Sequence, residues 1–185
     1  IRGNALDYEE WEHLGAKGWG YRHVLPYFRR AESRAEGGDT YRGADGPLHT
    51  SYGPMNNPLY NVFVEAAQQA GYPATNDVNG HQQEGFGRMD RTIHKGRRWS
   101  AASAYLKPAM RRPNLHVITG AQATKVLFRD QRAIAVSYHL GSEERTISAN
   151  REIILAGGPI NSPHLLKISG VGPADELRSY GIPII

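Results

Sequence analysis

The stretch with the clearest chemical potential is GGPINSPHLLKISGVG, residues 157–172, which follows a β-like apolar run at 152–156. A strand that leads into glycines and then a helix can present backbone N–H groups to a phosphate. The dinucleotide pattern G-x-G-x-x-G is incomplete, however, because Asp175 occupies the third glycine position after Gly170 and Gly172. The residues by themselves leave two interpretations open, a nucleotide contact and a purely structural turn.

Histidines and carboxylates are the next candidates, because both are common metal ligands. The chain has eight histidines and no cysteine, and its histidines lack the i, i+4 pairing of helical zinc sites. The segment NDVNG at 76–80 resembles part of a calcium loop, but Phe86 stands where that loop requires a glutamate. We therefore predict no metal site and interpret NDVNG as a turn. The lack of cysteine excludes disulfides and thiolate catalysis, and it fits a reducing, cytoplasmic location.

A further candidate is the basic run KGRRW at residues 95–99. Its cations and tryptophan would suit a nucleic acid, but the formal net charge is only +4 and no recognition-helix pattern accompanies the run. We interpret the run as a solvated or anion-facing loop and predict no nucleic-acid partner. No apolar run approaches the ~18 residues of a membrane span, so we predict no transmembrane segment; a peripheral membrane contact stays open.

Helices are expected mainly in the first part of the chain. Asp7 is the candidate cap of a first helix with several glutamates in its early turns. YRHVLPYFRRAES predicts a second helix with Pro26 near its start, and residues 36–58, rich in glycine, asparagine and proline, are interpreted as a loop. Residues 59–71 predict an amphipathic helix that Gly71 ends.

One more helix is expected to begin at Ser100 and to bend or end near Pro108. From residue 114 onward, β-rich runs alternate with turns: LHVITG, ATKVLFRD, RAIAVSYHL and RTISANREIILAGG. The sequence DQR predicts a hairpin tip that pairs residues 125–128 with 133–136. SPHLLKI predicts a helix capped by Asn161 or Ser162, and a short helix then leads to an apparent final strand, IPII. We divide the chain into a helix- and loop-rich part, 1–113, and a β-rich part, 114–185.

Residues 158–172 resemble the second signature of the glucose–methanol–choline (GMC) flavoprotein oxidoreductases. The matching positions are Gly158, Pro159, Ser162, Pro163, Leu165, Leu166, Ser169, Gly170, Val171 and Gly172. Other segments resemble the choline dehydrogenase branch of this family in the same order: RGNALDYEEWEHLGAKGWGY, LPYFRRAE, NGHQQEGFG, GRRWSAASAYL and RPNLHVITGAQATKVLF. The resemblance covers essentially the whole chain.

The resemblance implies an α/β fold, with α+β content in this chain: part of a Rossmann-type FAD-binding domain and part of the GMC substrate domain. It implies oxidation of an alcohol to a carbonyl, with hydride passing to flavin N5 and a histidine taking the hydroxyl proton. The pyrophosphate-binding glycine loop is expected before Ile1 and the catalytic histidine beyond Ile185. We therefore interpret the chain as an internal part of a longer enzyme and assign no catalytic residue within it.

The resemblance carries two cofactor-binding positions onto this chain. Val126 matches a strand residue whose backbone meets the adenine end of FAD, and Ala156, Gly157 and Gly158 match a strand end that passes close to the adenosine. Small residues allow a close backbone approach there. By itself, the chain is expected to be inactive and to bind flavin poorly.

The function predicted first for the parent enzyme is oxidation of a choline-like primary alcohol, a small-molecule substrate. A second hypothesis keeps the enzyme but makes the substrate a longer aliphatic or polyethylene-glycol-type alcohol. A third, from a different class, is a non-catalytic binding or structural module. The electron acceptor is left open.

Overall fold

The computed structural model describes all residues from Ile1 to Ile185. The chain forms two compact units, Ile1–Leu115 and His116–Ile185, here called unit 1 and unit 2. This division falls beside the boundary expected at residue 114. Helices and strands are both present, as the α+β expectation requires. The assignment of the two parts to a substrate domain and a flavin domain stays a prediction.

The first helix, α1, spans Ala5–His13 and begins in a capping box. The Asn4 side chain accepts the Leu6 N–H at 2.9 Å, and the Asp7 carboxylate accepts the Asn4 N–H at 3.0 Å. The prediction that Asp7 is the cap is therefore wrong by three residues. Both side chains bond free N–H groups of the first turn, and the sequence does not reveal which of the two leads the helix.

The second helix, α2, spans Tyr21–Ala31 and has Pro26 as its sixth residue. The expectation that Pro26 lies near the helix start is therefore wrong. Proline has no N–H to donate to the carbonyl of Arg22, four residues earlier. Arg22 is exposed, so water can bond that carbonyl and the helix continues.

A three-stranded sheet follows, in the order β1–β2–β3. Strand β1 (Glu32–Arg34) pairs in parallel with β2 (Leu48–Tyr52), which pairs antiparallel with β3 (Asp90–Arg91). The prediction of an uninterrupted loop over 36–58 is wrong, because β2 lies within it. These strands are short and their partners are distant in sequence, so local composition does not reveal them.

The basic run forms part of a second, two-stranded hairpin rather than a loop. Strand β4 (Ile93–His94) pairs antiparallel with β5 (Arg97–Arg98). The turn residues Lys95 and Gly96 both have positive φ, 48° and 72°. Two left-handed residues in a two-residue loop are the requirement of a type I′ turn.

Helix α3 spans Pro58–Gln69, which confirms the helix predicted at 59–71. Asn57 caps it by accepting a first-turn N–H at 3.0 Å, and Gly71, with a φ of 89°, follows its end. Of the apolar face only Ala67 is buried, whereas Phe63 is 64% exposed.

The helix expected between Ser100 and Pro108 is present but irregular. Ala102–Leu106 form a π-helix, and α4 (Lys107–Ala109) continues it. The Ser100 hydroxyl accepts a first-turn N–H at 3.4 Å. The wider turn relieves the contact that the Pro108 ring would otherwise make with the carbonyl four residues earlier.

The sheet of unit 2 is an antiparallel meander of β6 (Ala121–Arg129), β7 (Arg132–Leu140) and β8 (Glu143–Ser148). Strands β6 and β7 form the predicted hairpin, with Val126 opposite Val136 and β-bulges on either side of this pair. The predicted pairing is confirmed because two β-branched, alternating runs flank a two-residue turn.

Two expected strands of unit 2 are absent. Residues 115–119 and 152–156 belong to no strand. Their apolar side chains are partly open to solvent; Ile154 is 78% exposed and Val117 is 47% exposed. A strand needs a hydrogen-bonded neighbour, and no segment of this chain pairs with either one.

Two helices complete unit 2, α5 (Gly158–Ile168) and α6 (Ala174–Ser179). Leu177 of α6 is the most buried apolar side chain, at 1% exposure. The expected final strand, IPII, is also absent as a strand, although the Ile185 N–H donates to the Gly170 carbonyl at 2.9 Å.

Gly43 offers a test of the packing around β1, because a Cβ there would overlap the Arg29 carbonyl oxygen and lie 2.6 Å from that of Glu32. We expect Gly43→Ala to lower the free energy of unfolding of unit 1 by about 2–4 kcal/mol in urea titrations, the range of severe overpacking. Gly37→Ala is the control, since Gly37 has a φ of 96° but open space around it; about 1 kcal/mol is expected there. Equal losses would contradict the packing explanation.

Candidate functional site

The four residues predicted to bind FAD all lie in unit 2, at opposite ends of one helix. Val126, on β6, contacts the C-terminal end of α5 through Ser169, whereas Gly157 and Gly158 begin the same helix. An eleven-residue helix is about 16 Å long. A single adenine ring does not bridge that distance, so the two positions would contact different parts of an extended dinucleotide.

Val126 is 3% exposed, and its backbone N–H is already bonded. The N–H donates to the Ser169 hydroxyl oxygen at 2.8 Å, and that hydroxyl donates to the Leu165 carbonyl at 2.6 Å. A cofactor contact by the Val126 backbone would therefore use its carbonyl oxygen. The contact itself stays a prediction.

Ala156, Gly157 and Gly158 are exposed. Gly158 has a φ of 86°, and a Cβ added to it would meet no atom of the chain within 4 Å. The open space beside Gly158 would accommodate an external group close to the backbone, so these residues fit the cofactor that the sequence resemblance implies.

The start of α5 differs from the predicted cap. Gly157 is the N-cap, and its N–H donates to the Ser162 hydroxyl oxygen at 2.9 Å. The helix therefore begins three to four residues before the residues proposed to cap it, because Ser162 reaches back to the turn instead of heading the helix.

The Ser-Gly-Val-Gly end of the signature packs inside unit 2. Gly170 has a φ of 99° and is buried, and a Cβ on it would overlap the Pro183 carbonyl and lie 2.9 Å from the Ile185 side chain. Together with the Ser169 hydrogen bonds, this close packing joins α5 to β6 and to the chain end. The sequence left residues 157–172 open to a nucleotide contact or a purely structural turn. For residues 169–172 the structure favours the structural turn.

Unit 1 contains a buried ion network centred on Arg42, which is 1% exposed. Its guanidinium donates to Glu32 at 2.7 and 2.9 Å, to Asp77 at 2.5 Å and to Asp90 at 2.5 Å. These carboxylates come from β1, from the NDVNG turn and from β3, so one side chain links three distant segments. No motif in the sequence points to this network, because its members are scattered from Glu32 to Asp90.

Two further arginines balance the charge of the network. The Arg2 guanidinium donates to Glu32 at 2.8 Å, and the Arg2 N–H donates to the Asn79 side chain at 2.8 Å. Arg34 lies 3.7 Å from the Asp77 carboxylate. Three guanidinium groups thus face three carboxylates, the pairing that buried charges require.

Hydrogen bonds between Glu32 and Arg42 shift the pKa of each group away from the value that burial alone would give. Burial by itself would raise the pKa of Glu32, but hydrogen bonds and charge from Arg42, with a hydrogen bond from Thr50, lower it below its usual range. Burial by itself would lower the pKa of Arg42, yet its bonds to the three carboxylates raise it. Burial lowers the pKa of Arg2. Glu32 and Arg42 are therefore charged at neutral pH.

A cavity of about 290 Å³ adjoins the network. Tyr8 and Phe28 form aromatic walls, and the Arg2 guanidinium lies 5.2 Å from the Phe28 ring centre. Arg2, Glu32, Arg42 and Asp90 on its wall belong to the ion network and pair within it. We assign no chemistry to the cavity itself.

NDVNG is a turn, as predicted. The Gly80 N–H donates to the Asp77 carbonyl at 3.1 Å, and the Asp77 carboxylate accepts the Asn79 N–H at 2.9 Å as well as the Arg42 bond. No group of three histidine, aspartate or glutamate side chains gathers in a metal-binding arrangement. No helix has the length and apolar character needed to cross a membrane.

The fold is that of a FAD-dependent oxidoreductase segment. An FAD-dependent oxidoreductase from Chaetomium thermophilum matches it with a TM-score of 0.88 and 31% identity, over 100% of this chain and 34% of that one. The GMC oxidoreductase family model matches residues 1–184. The chain therefore belongs to the GMC oxidoreductase family, as its signature indicated.

Within this family, the chain is similar in sequence to two choline dehydrogenases. The chain is 54% identical over its full length to human mitochondrial choline dehydrogenase and 49% identical to the oxygen-dependent choline dehydrogenase of Brucella anthropi. It covers 31% and 34% of those proteins. The chain thus spans about a third of the length of the curated relatives it matches.

Arg42→Met tests the network. Removal of the guanidinium leaves buried carboxylates with incomplete partners, so we expect the free energy of unfolding of unit 1 to fall by about 3–5 kcal/mol in urea titrations. Arg145→Met is the control, because the Arg145–Glu143 pair is exposed and should cost under about 1 kcal/mol. A loss for Arg42→Met as small as that of the control would show that the network does not stabilise unit 1.

The network also predicts that the free energy of unfolding of unit 1 decreases at acid pH. Because the pKa of Glu32 is lower in the folded chain than in the unfolded one, its contribution is complete above the unfolded pKa, about 4.3. That contribution is lost as the pH falls through the folded pKa. Between pH 5 and 3, unit 1 should lose stability less steeply in Glu32→Gln than in the wild type, measured by urea titration at each pH. Glu144→Gln, on exposed β8, should follow the wild type; a Glu32→Gln profile parallel to the wild type would refute the assignment.

Proposed function

We propose that the parent enzyme of this chain oxidises a choline-like primary alcohol to an aldehyde with FAD as cofactor. The observation that carries the proposal is the 54% identity to a choline dehydrogenase over all 185 residues. Membership of the GMC family and the FAD-dependent structural relative support the cofactor. The alcohol substrate is a small molecule, and the electron acceptor is not assigned.

When bound, FAD would supply the hydride-accepting chemistry for oxidation at the carbon that bears the substrate hydroxyl. In this chain, the exposed backbone of Ala156–Gly158 would hold the cofactor by close approach, and the Val126 carbonyl would accept a hydrogen bond from it. Ser169 keeps the Val126 N–H occupied, so β6 presents only an acceptor at this residue.

No histidine of this chain is proposed as the catalytic base. His23 lies 3.0 Å from the Glu12 carboxylate, His81 contacts the Tyr41 hydroxyl at 3.1 Å, and His49 stacks on His94. His116 and His139 are exposed. Four of these histidines thus make local contacts within the chain, and His13 and His164 are exposed like the last two. A base supplied by another part of the parent enzyme agrees with this.

The substrate test uses the full-length enzyme. We expect dye reduction with choline at a kcat/KM well above that with a polyethylene-glycol-type alcohol. A reversed preference would replace choline by the longer alcohol, and no reduction with either would favour a non-catalytic module.

The 185-residue chain should purify without the 450 nm absorbance of flavin; stoichiometric flavin on it would contradict the cofactor-binding scheme.

Gly158→Ala tests the cofactor approach. In the full-length enzyme we expect it to lower the fraction of protein that retains FAD, measured by the ratio of absorbance at 450 and 280 nm. Gly141→Ala is a matched control, because Gly141 also has a positive φ, 64°, and open surroundings. Both variants should lose about 1 kcal/mol of stability from the left-handed backbone. Equal FAD retention in the two variants would remove Gly158 from the cofactor site.

A further inference from the structure

Two imidazoles of unit 1 stack face to face where β4 meets β2. The ring centres of His49 and His94 are 3.7 Å apart, and the rings are inclined by 12°. Trp99, directly after β5, lies steeply inclined to both rings at centroid distances of 5.5 and 4.8 Å. His49 and His94 are called the histidine pair below.

Trp99 and the histidine pair attach the β4–β5 hairpin to β2. The Trp99 indole N–H donates to the Pro47 carbonyl at 2.7 Å, just before β2, and its backbone N–H closes the hairpin by donating to the Thr92 carbonyl at 2.8 Å. The hairpin cations Lys95, Arg97 and Arg98 take part in no salt bridge. Ring stacking and one indole hydrogen bond are therefore the main side-chain attachment.

The charged side chains on the histidine side of β2 are basic. Strand alternation puts His49 and Ser51 on one face, and Arg91 of β3 lies opposite Ser51. The hairpin adds three cations, Lys95, Arg97 and Arg98. Arg97 lies opposite His94 in the hairpin register and Lys95 follows His94 directly, so basic side chains border the histidine pair, whereas Arg98 pairs with Ile93 on the other face.

Three of the carboxylates near β2 bond other groups. Glu36 accepts the Tyr52 backbone N–H at 3.0 Å. Glu32 of β1 accepts a hydrogen bond from Thr50, on the opposite face from His49, and Asp90 of β3 is bound to Arg42. Asp45, exposed in the loop before Pro47, forms no salt bridge. The pair thus has no anionic partner.

Protonation of the pair would place two positive rings in contact within this basic surrounding. Desolvation, together with the charges of His49 and Lys95, lowers the pKa of His94. The neutral form of His94 is therefore favoured in the stack, whereas two imidazolium rings at the same distance would repel each other.

We propose that the histidine pair is a pH-dependent clasp: the neutral pair holds the β4–β5 hairpin against β2, and its protonation releases the hairpin. The release is local, because the Arg42 network that holds β1, β2 and β3 together contains no histidine. The proposal does not depend on the identity of the alcohol substrate.

Amide hydrogen exchange followed by NMR tests the clasp in the 185-residue chain. After correction for intrinsic rates, we expect the protection factor of the Trp99 amide to fall at least about tenfold between pH 7.5 and pH 5. An opening equilibrium linked to the binding of one proton changes about tenfold for each pH unit below the pKa. The Ala35 amide, which donates to the Thr50 carbonyl of β2, should keep its protection. Equal losses at both amides would mean general unfolding of unit 1 and would overturn the proposal.

Variants separate the histidine pair from other titrating groups. His49→Asn together with His94→Gln should abolish the pH dependence of the Trp99 amide, whatever its absolute protection. His139→Gln, an exposed histidine on β7, should leave the wild-type profile unchanged. A wild-type profile that is flat down to pH 5, or a double variant that keeps the full tenfold change, would each refute the clasp.

Discussion

The bond set of Arg42 is the constraint on which unit 1 depends. One guanidinium bonds carboxylates from β1, the 76–80 turn and β3, and so fixes segments that local hydrogen bonds alone would leave apart. The strands concerned have only two to five residues, too few to be stable as isolated ladders. Few apolar side chains are buried in unit 1, so paired charges provide much of its internal order. A buried network of this kind stabilises only while every member is present.

Unit 2 is organised by a different interaction, the hydroxyl of Ser169. It accepts from β6 and donates within α5, and the neighbouring Gly170 allows the chain end to pack close by. The family signature is thereby divided in function. Its first glycines lie exposed at the start of α5 and are open to a cofactor, whereas its last residues join a helix to a sheet. The resemblance that identified the family therefore rests partly on residues that pack a helix against a sheet.

The basic hairpin shows how position changes the meaning of a sequence run. KGRRW suggested a solvated or anion-facing loop, but the tertiary structure sets Trp99 and the residue before the run, His94, against β2 and leaves Arg97 and Arg98 exposed. Charge that does not pair with carboxylates then influences the neighbouring imidazoles. The pH-dependent role that we propose for the hairpin thus depends on the strand that it contacts.

Local patterns determined the elements whose stabilising contacts are close in sequence. The β6–β7 hairpin follows from alternation around a two-residue turn, and α3 follows from its apolar period and from Gly71 at its end. The family signature likewise identified the GMC class, because many constrained positions fall within fifteen residues. Residues 115–119 and 152–156 have strand-like composition but no paired neighbour in this chain, so composition misled there.

The tertiary structure alone decided the features that depend on distant partners. β1, β2 and β3 pair across distant parts of the chain, where Arg42 also brings Glu32, Asp77 and Asp90 together, and no spacing rule encodes that meeting. The hydrogen bonding of Val126 likewise depends on a distant partner, because its N–H donates to the hydroxyl of Ser169, 43 residues away. Sequence thus specified the family and the local elements, whereas long-range charge pairing and hydrogen bonding specified which groups remain free to act.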